Sequence, residues 1–280
     1  MSLRRVFRPD SSMFALLGFG TLLCIVSFAI IWALCVRVKN YSFLDVAFSY
    51  GLAILAPLYA WNGSGSFERK FSFTVLGVIW SLRLGTYILL RVVRHHPEED
   101  SRYQALRDRW KGPWMFLLFF EMQAVLVLIF SLPFLLAAFN ESPGLRPVEL
   151  IGLALAGLAL VGEATADWQM QQFKKNPDGR GQVCQVGLWN YSRHPNYFFE
   201  SVVWCGFSVA AFGSSWGWIC LVCPLLMFYF LLRVTGIPLT EEYALKSKGD
   251  AYREYQRTTS AFVPWFKKAS GTSHESSSLS

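Results

Sequence analysis

Three polar groups stand where an apolar chain should not hold them: Asp167, Asn196 and Glu200. Each lies inside or at the end of a long hydrophobic run. An ionisable or amide side chain there is costly unless it meets a partner or a cavity. Glu163, Asp167, Gln171 and Lys174 fall at i, i+4, i+8 and i+11, and so share one helix face. Asn196 and Glu200 are one turn apart, with Tyr197 beside the first and Trp204 a turn beyond the second. The loop between these two faces is basic and turn-rich, with Lys174, Lys175, Arg180, Arg193 and His194 among Pro177, Gly179, Gly181 and Gly187. Pro195 suits the first turn of the next helix, where its missing N–H is harmless. Free backbone N–H groups at that helix start, surrounded by cations, suit a phosphate. Carboxylates and an amide deeper in suit neutral donors such as ribose hydroxyls or a carboxamide. The pattern is that of a nucleotide dipping into a helix bundle.

A second polar set lies earlier. Trp80, Arg83, Tyr87 and Arg91 form a stripe on one run, and Glu121 stands alone near the start of the next. The competing reading is structural: Arg83 with Glu121, or Lys174 with Asp167, would stitch helices together.

The elements that position these residues follow from hydropathy. Of the 280 residues, 53% are hydrophobic, too many for an ordinary soluble domain of this size. Apolar runs at 13–36, 44–61, 71–93, 114–139, 148–173, 196–212 and 215–235 each approach the ~20 residues that a bilayer requires. The expectation is an all-α, polytopic membrane helix bundle of about seven transmembrane helices, or six if the short run at 196–212 does not cross. The first run is too long for a signal peptide and has no small-residue cleavage site, so it reads as an anchor. Residues 1–12 form an N-terminal segment and 13–267 one membrane domain, with the cofactor motif in 163–267. The Ser-rich stretch 268–280 is a disordered polar tail.

With seven spans and the C-terminus inside, 18 Lys/Arg fall on the cytoplasmic side and 6 outside. The net charge of +7 then needs no nucleic acid, because an anionic leaflet and an anionic cofactor account for it. The six cysteines suggest neither disulfides nor a metal; Cys220 and Cys223 have a paired spacing but no further ligand beside them. No soluble nucleotide-binding glycine motif is present.

The joined stretch "ATADWQMQQFKK", "GLWNYSRHPNYFFESVVWCG" and "TGIPLTEEYALKSKGDAYREYQRTTSAFVPWF" resembles the C-terminal half of the steroid 5-alpha-reductase superfamily. Within it, this stretch and "WSLRLGTYILLRVVRHHPEEDSRYQALRDRW" are most similar to the domain-of-unknown-function 1295 (DUF1295) branch. The resemblance covers roughly residues 40 to 267. It implies a seven-helix membrane reductase that binds NADPH from the cytosolic side. Carried over residue by residue, the cofactor-binding positions are Asp167, Lys174, Arg193, His194, Asn196, Tyr197, Glu200 and Tyr252, with Tyr255 in the same C-terminal segment. Glu163 stands where the steroid enzymes carry an Asn that contacts the cofactor. The substrate half departs further. The steroid enzymes polarise a ketone with a Tyr and a Glu; here Trp80 holds the Tyr position, and the Glu would lie near Asp45.

The implied activity is NADPH-dependent reduction of a hydrophobic enone or alkene (steroid-like, isoprenoid or lipid). Tyr87, Arg83 and Glu121 are the candidates to stabilise the enolate and deliver the proton. The isoprenylcysteine carboxyl methyltransferases, which use S-adenosylmethionine, share the RHP-x-Y core and an acidic pair, here Glu241 and Glu242. A methyltransferase is therefore the alternative, and a lipid-binding or scaffolding protein a third reading. The expected location is the bacterial inner membrane or the endoplasmic reticulum membrane, with membrane lipids around the chain and a hydrophobic or lipid substrate.

Overall fold

The computed structural model describes residues 11–110, 112–179 and 181–268. The first ten residues, Lys111, Arg180 and the tail from 269 lie outside the described residues, and so do the expectations that fall on them. Among the described residues no strand occurs, only one isolated bridge between Ser192 and Ser260. The long helices are α1 (Ser11–Val38), α2 (Phe43–Asn62), α3 (Phe67–His95), α5 (Pro113–Ala138) and α6 (Pro147–Lys175). Short α4 (Ser101–Arg109) joins α3 to α5, and α7 (Pro195–Ala211) follows the basic loop. α8 (Val222–Tyr229) runs through a π-helical turn (Phe230–Val234) toward α9 (Ile237–Lys248), and α10 (Asp250–Thr258) closes the series.

Six of the described helical stretches are long and apolar enough to cross a membrane: α1, α2, α3, α5, α6 and the composite Gly217–Lys248. The protein is an integral membrane protein by that measure. α7, with 17 residues, is about 25 Å long, at the lower limit for a span.

The chain divides into two compact units. Among the described residues, one comprises 11–156 and 205–223, the other 157–204 and 224–268. In the first unit, α2 packs against α3 and α5, and glycines set the spacing. A Cβ on Gly77 would strike the Phe134 ring at 2.4 Å, and one on Gly51 would strike Val127 at 2.5 Å.

Polar latches hold this unit near the helix ends. Arg69, in the first turn of α3, is fully buried. Its Nε and Nη2 grip Glu149 at 2.5 and 3.0 Å, and its other donors reach Ser66 Oγ and the carbonyls of Asn140, Ser142 and Gly144. Glu149 also accepts from the Arg146 backbone N–H at 2.7 Å. A buried ion pair holds only when its remaining lone pairs and protons are satisfied in this way. The hydropathy reading starts this helix at residue 71 and leaves Arg69 in a loop. In the structure the helix begins at Phe67 and the arginine faces inward.

A second latch joins the α1–α2 turn to the segment before α4. Asp45 takes Arg102 Nη2 and the Tyr103 hydroxyl, each at 2.7 Å, and Glu99 takes Arg107 at 2.8 Å and the Tyr41 N–H at 2.6 Å. Asp45, the position expected near a ketone-polarising carboxylate, is thus committed to α4.

Candidate functional site

In the second unit, α6 and α7 are brought together by a glycine. A Cβ on Gly162 would stand 2.5 Å from the Phe199 ring, so only a glycine lets the helices approach this closely there. The chain between them is docked back onto α6. Trp189 Nε1 donates to the Ala166 carbonyl at 2.9 Å, and the Leu188 N–H donates to Gln169 Oε1 at 2.8 Å. Gly187 has φ +54° and lies against the Gln169 amide, where a side chain would be both strained and crowded.

This docking brings two of the sequence-selected residues into contact. Asn196 Nδ2 donates to Asp167 Oδ1 at 3.3 Å. That contact fixes the amide orientation, since a flipped amide would set two oxygens against each other. Asn196 Oδ1 is buried and accepts no hydrogen bond. Glu163, on the Asp167 face one turn earlier, is buried at 4% exposure. Glu200, one turn into α7, is buried and accepts from Trp204 Nε1 at 2.9 Å.

Arg193 and His194 sit at the start of α7, as expected, but they are bonded to protein. Arg193 Nε meets Glu241 Oε1 at 2.7 Å, and its Nη1 donates to the carbonyls of Gln256 and Thr259. His194 Nε2 lies 3.2 Å from the same carboxylate oxygen, and Gln256 Nε2 donates to the other at 2.7 Å. Burial pushes the His194 imidazole below its usual pKa, and Glu241 only partly offsets that. The phosphate role that sequence suggests for this pair is therefore matched in the structure by a role as a brace for α9.

Tyr197 stacks on the His194 ring at 5.3 Å and its hydroxyl meets Thr240 Oγ1 at 3.2 Å. Tyr252 and Tyr255 are buried on α10 in edge-to-face contact. Burial raises both phenols above the usual tyrosine range, so they are neutral donors. Tyr255 donates to the carbonyls of Trp189 and Ser192. The extended stretch after α10 completes the wall. Arg193 N–H donates to Ser260 O at 2.8 Å, Ser192 Oγ to Phe262 O at 2.8 Å, and Trp265 N–H to Tyr191 O at 2.9 Å.

Lys174 lies exposed at the end of α6. Its ammonium and that of Lys248 act on the buried Cys184 thiol, whose pKa burial raises against their pull. Lys175 beside Lys174 is exposed as well, and Lys248 is half-buried. Glu241, which the sequence marks only as half of the acidic pair shared with the methyltransferases, is placed by the structure against Arg193 and His194.

The residues proposed for substrate chemistry belong to the first unit. Arg83 and Tyr87 are half-buried on α3, one turn apart. Glu121, on α5, has its Oε2 buried without a hydrogen bond. Trp80, at 2% exposure, is part of the core.

No curated protein and no solved structure matches the chain. A family described as protein of unknown function (DUF1295) matches residues 31–259, which spans α2 to α10 and every residue above except Ser260, Phe262 and Trp265. The chain belongs to the DUF1295 family, the branch of the steroid 5-alpha-reductase superfamily that its motifs resemble.

Proposed function

We propose that the protein is an integral membrane reductase that uses NADPH to reduce a hydrophobic enone or alkene. The observation that carries this reading is the Asp167–Asn196 contact with its open acceptor. A buried amide oxygen without a partner costs about 1–3 kcal/mol, and a ligand donor would remove that cost. Asn196 Oδ1, Asp167 and the neighbouring Glu163 and Glu200 form an acceptor-rich patch. Such a patch fits ribose hydroxyls and a carboxamide. Lys174, Lys175 and Lys248 are the cations that would meet the phosphates.

Bound NADPH supplies a hydride. The chain's own part is to hold the sugar and amide through Asn196, Asp167 and Glu200, and to cover the site with the Tyr252–Tyr255 helix. Proton delivery to the reduced substrate is assigned to Tyr87, Arg83 or Glu121.

Methyl transfer from S-adenosylmethionine is the second reading, favoured by the RHP motif and Glu241. In this chain those residues bond one another, so they do not separate the two cofactors; the joined Asp167–Lys174 and Asn196–Glu200 pattern supports NADPH.

The deciding experiment is mass spectrometry of the protein purified in mild detergent, followed by binding titrations with both cofactors. Glu200→Gln should weaken NADPH by roughly 10- to 150-fold, the range for a hydrogen bond to a charged group, with little change in melting temperature. Stabilisation by S-adenosylmethionine alone would overturn the reductase reading.

A further inference from the structure

Between α1 and α2 the first unit holds a cleft of about 310 Å³. Its walls include Leu23, Ile31, Phe43, Tyr50, Ile54 and Leu55. Along α2 the lining runs from Phe43 to Leu55, about 18 Å at 1.5 Å per residue. The cleft is therefore long and parallel to the two helices. No charged side chain lines it. Its hydroxyls are those of Ser27 and Tyr50, and the Tyr50 hydroxyl is already bonded to Thr86 Oγ1 at 2.9 Å. Ile54 on its rim is 56% exposed, so the cleft opens sideways along a membrane-crossing helix pair.

One end of this apolar slot is cationic. The turn from α1 to α2 carries Arg37 and Lys39, both exposed. The nearby acids are already engaged: Asp45 and Asp100 by Arg102, and Glu99 by Arg107. Among the described residues Arg37 and Lys39 form no ion pair; Glu98, whose carbonyl accepts from Asn40 Nδ2 at 3.3 Å, is the one acid of this turn that pairs with no arginine, so two cations face a single exposed carboxylate where the cleft meets the helix turn.

We propose that this cleft binds a long-chain anionic amphiphile, with the alkyl chain between α1 and α2 and the head group at Arg37 and Lys39. The shape selects an extended chain over a compact ring system, and the leftover cations select an acidic head over a neutral one. The ligand is a fatty acid-like molecule or an anionic bilayer lipid, which share this chemistry. The site goes beyond the reductase reading and stands whether or not that reading does.

The test uses the full chain in nanodiscs of a zwitterionic lipid. The probes are a palmitate analogue with a diazirine at the chain terminus and the matching hexadecanol analogue. After photolysis, peptide mapping should place the palmitate adducts within 23–31 and 43–55, and unlabelled palmitate should compete. Doping the nanodiscs with phosphatidylglycerol should also compete if a bilayer lipid is the occupant, and should have no effect if the site takes a free acid. Ala47→Phe, which fills the slot, should cut labelling about tenfold. Arg37→Gln with Lys39→Gln, both at exposed positions, should cut palmitate labelling severalfold and leave hexadecanol labelling unchanged. Adducts scattered over the lipid-facing helices without competition would overturn the proposal. So would equal labelling by acid and alcohol in the unsubstituted protein. NADPH binding on the same samples keeps the two claims apart: mapped adducts without NADPH binding would sink the reductase reading alone, and NADPH binding with scattered adducts the cleft alone.

Discussion

Each unit contains an arginine clamped to a distant glutamate, and the two clamps differ in what they leave over. Arg69 and Glu149 are entirely shielded, with side-chain exposures of 0% and 0%, and their donors and acceptors go to each other and to fixed backbone. Arg193 and Glu241 keep 10% and 14% exposure, and Glu241 is divided among Arg193, His194 and Gln256. A few residues from the second clamp lies Asn196 with an open acceptor. The first clamp is a closed latch whose only product is a fixed helix end. The second is a shared brace beside a patch with hydrogen-bonding capacity still to offer. Completeness of the hydrogen bonding, more than the presence of an ion pair, separates a strut from a binding surface.

The sharpest way to break that contrast is at Arg69. Arg69→Met should cost about 3–5 kcal/mol, because Glu149 is left charged in the interior. A second change, Glu149→Leu, should recover much of the loss. Thermal unfolding in detergent checks both, and a mild effect of the single change would mean that the latch is not closed. Arg193→Met should cost less, about 1–3 kcal/mol, since Glu241 retains His194 and Gln256 and is partly hydrated.

Acidity provides a subtler separation. His194 has its folded pKa lowered by burial, so below about pH 6.5 the unfolded chain takes up a proton that the folded chain resists. Stability of the second unit should therefore fall as pH drops through that value. His194→Gln should flatten the dependence, whereas a reporter near Arg69, where no histidine stands, should not respond. A flat profile in the parent protein would show that Glu241 cancels the effect of burial, and a rise in stability on acidification that it outweighs burial.

The smallest effect is expected at Asn196. Asn196→Ala removes a long hydrogen bond and an unsatisfied oxygen together, so the ligand-free melting temperature should move by no more than about 0.5 kcal/mol equivalent. NADPH affinity should fall at the same time. A large loss of stability would make Asn196 a strut like Arg69.

Much of the helix pattern was legible because apolar runs of membrane length have few alternatives. The Asp167–Asn196 contact was legible as well: both lie on polar stripes of consecutive helices, α6 and α7. The clamps were not. Arg69 with Glu149 and Asp45 with Tyr103 are 80 and 58 residues apart. Nothing in local periodicity says which buried charge will meet which. Arg193 read as a ligand contact because cations before a helix suit phosphate; the glutamate that occupies it comes from 48 residues downstream.

The division of α7 has a practical consequence. Its first half belongs with residues 157–204, while Gly206 packs on Ala156, Phe207 on Phe134, and Ser208 donates to Cys220 O. Neither unit is a continuous stretch of chain. A fragment beginning at 157 would carry residues 205–223 without the helices that cover them, and a fragment ending at 156 would lack that same piece of its own core. Dissecting this protein by truncation should yield aggregates, and separately expressed halves should fold only when supplied together.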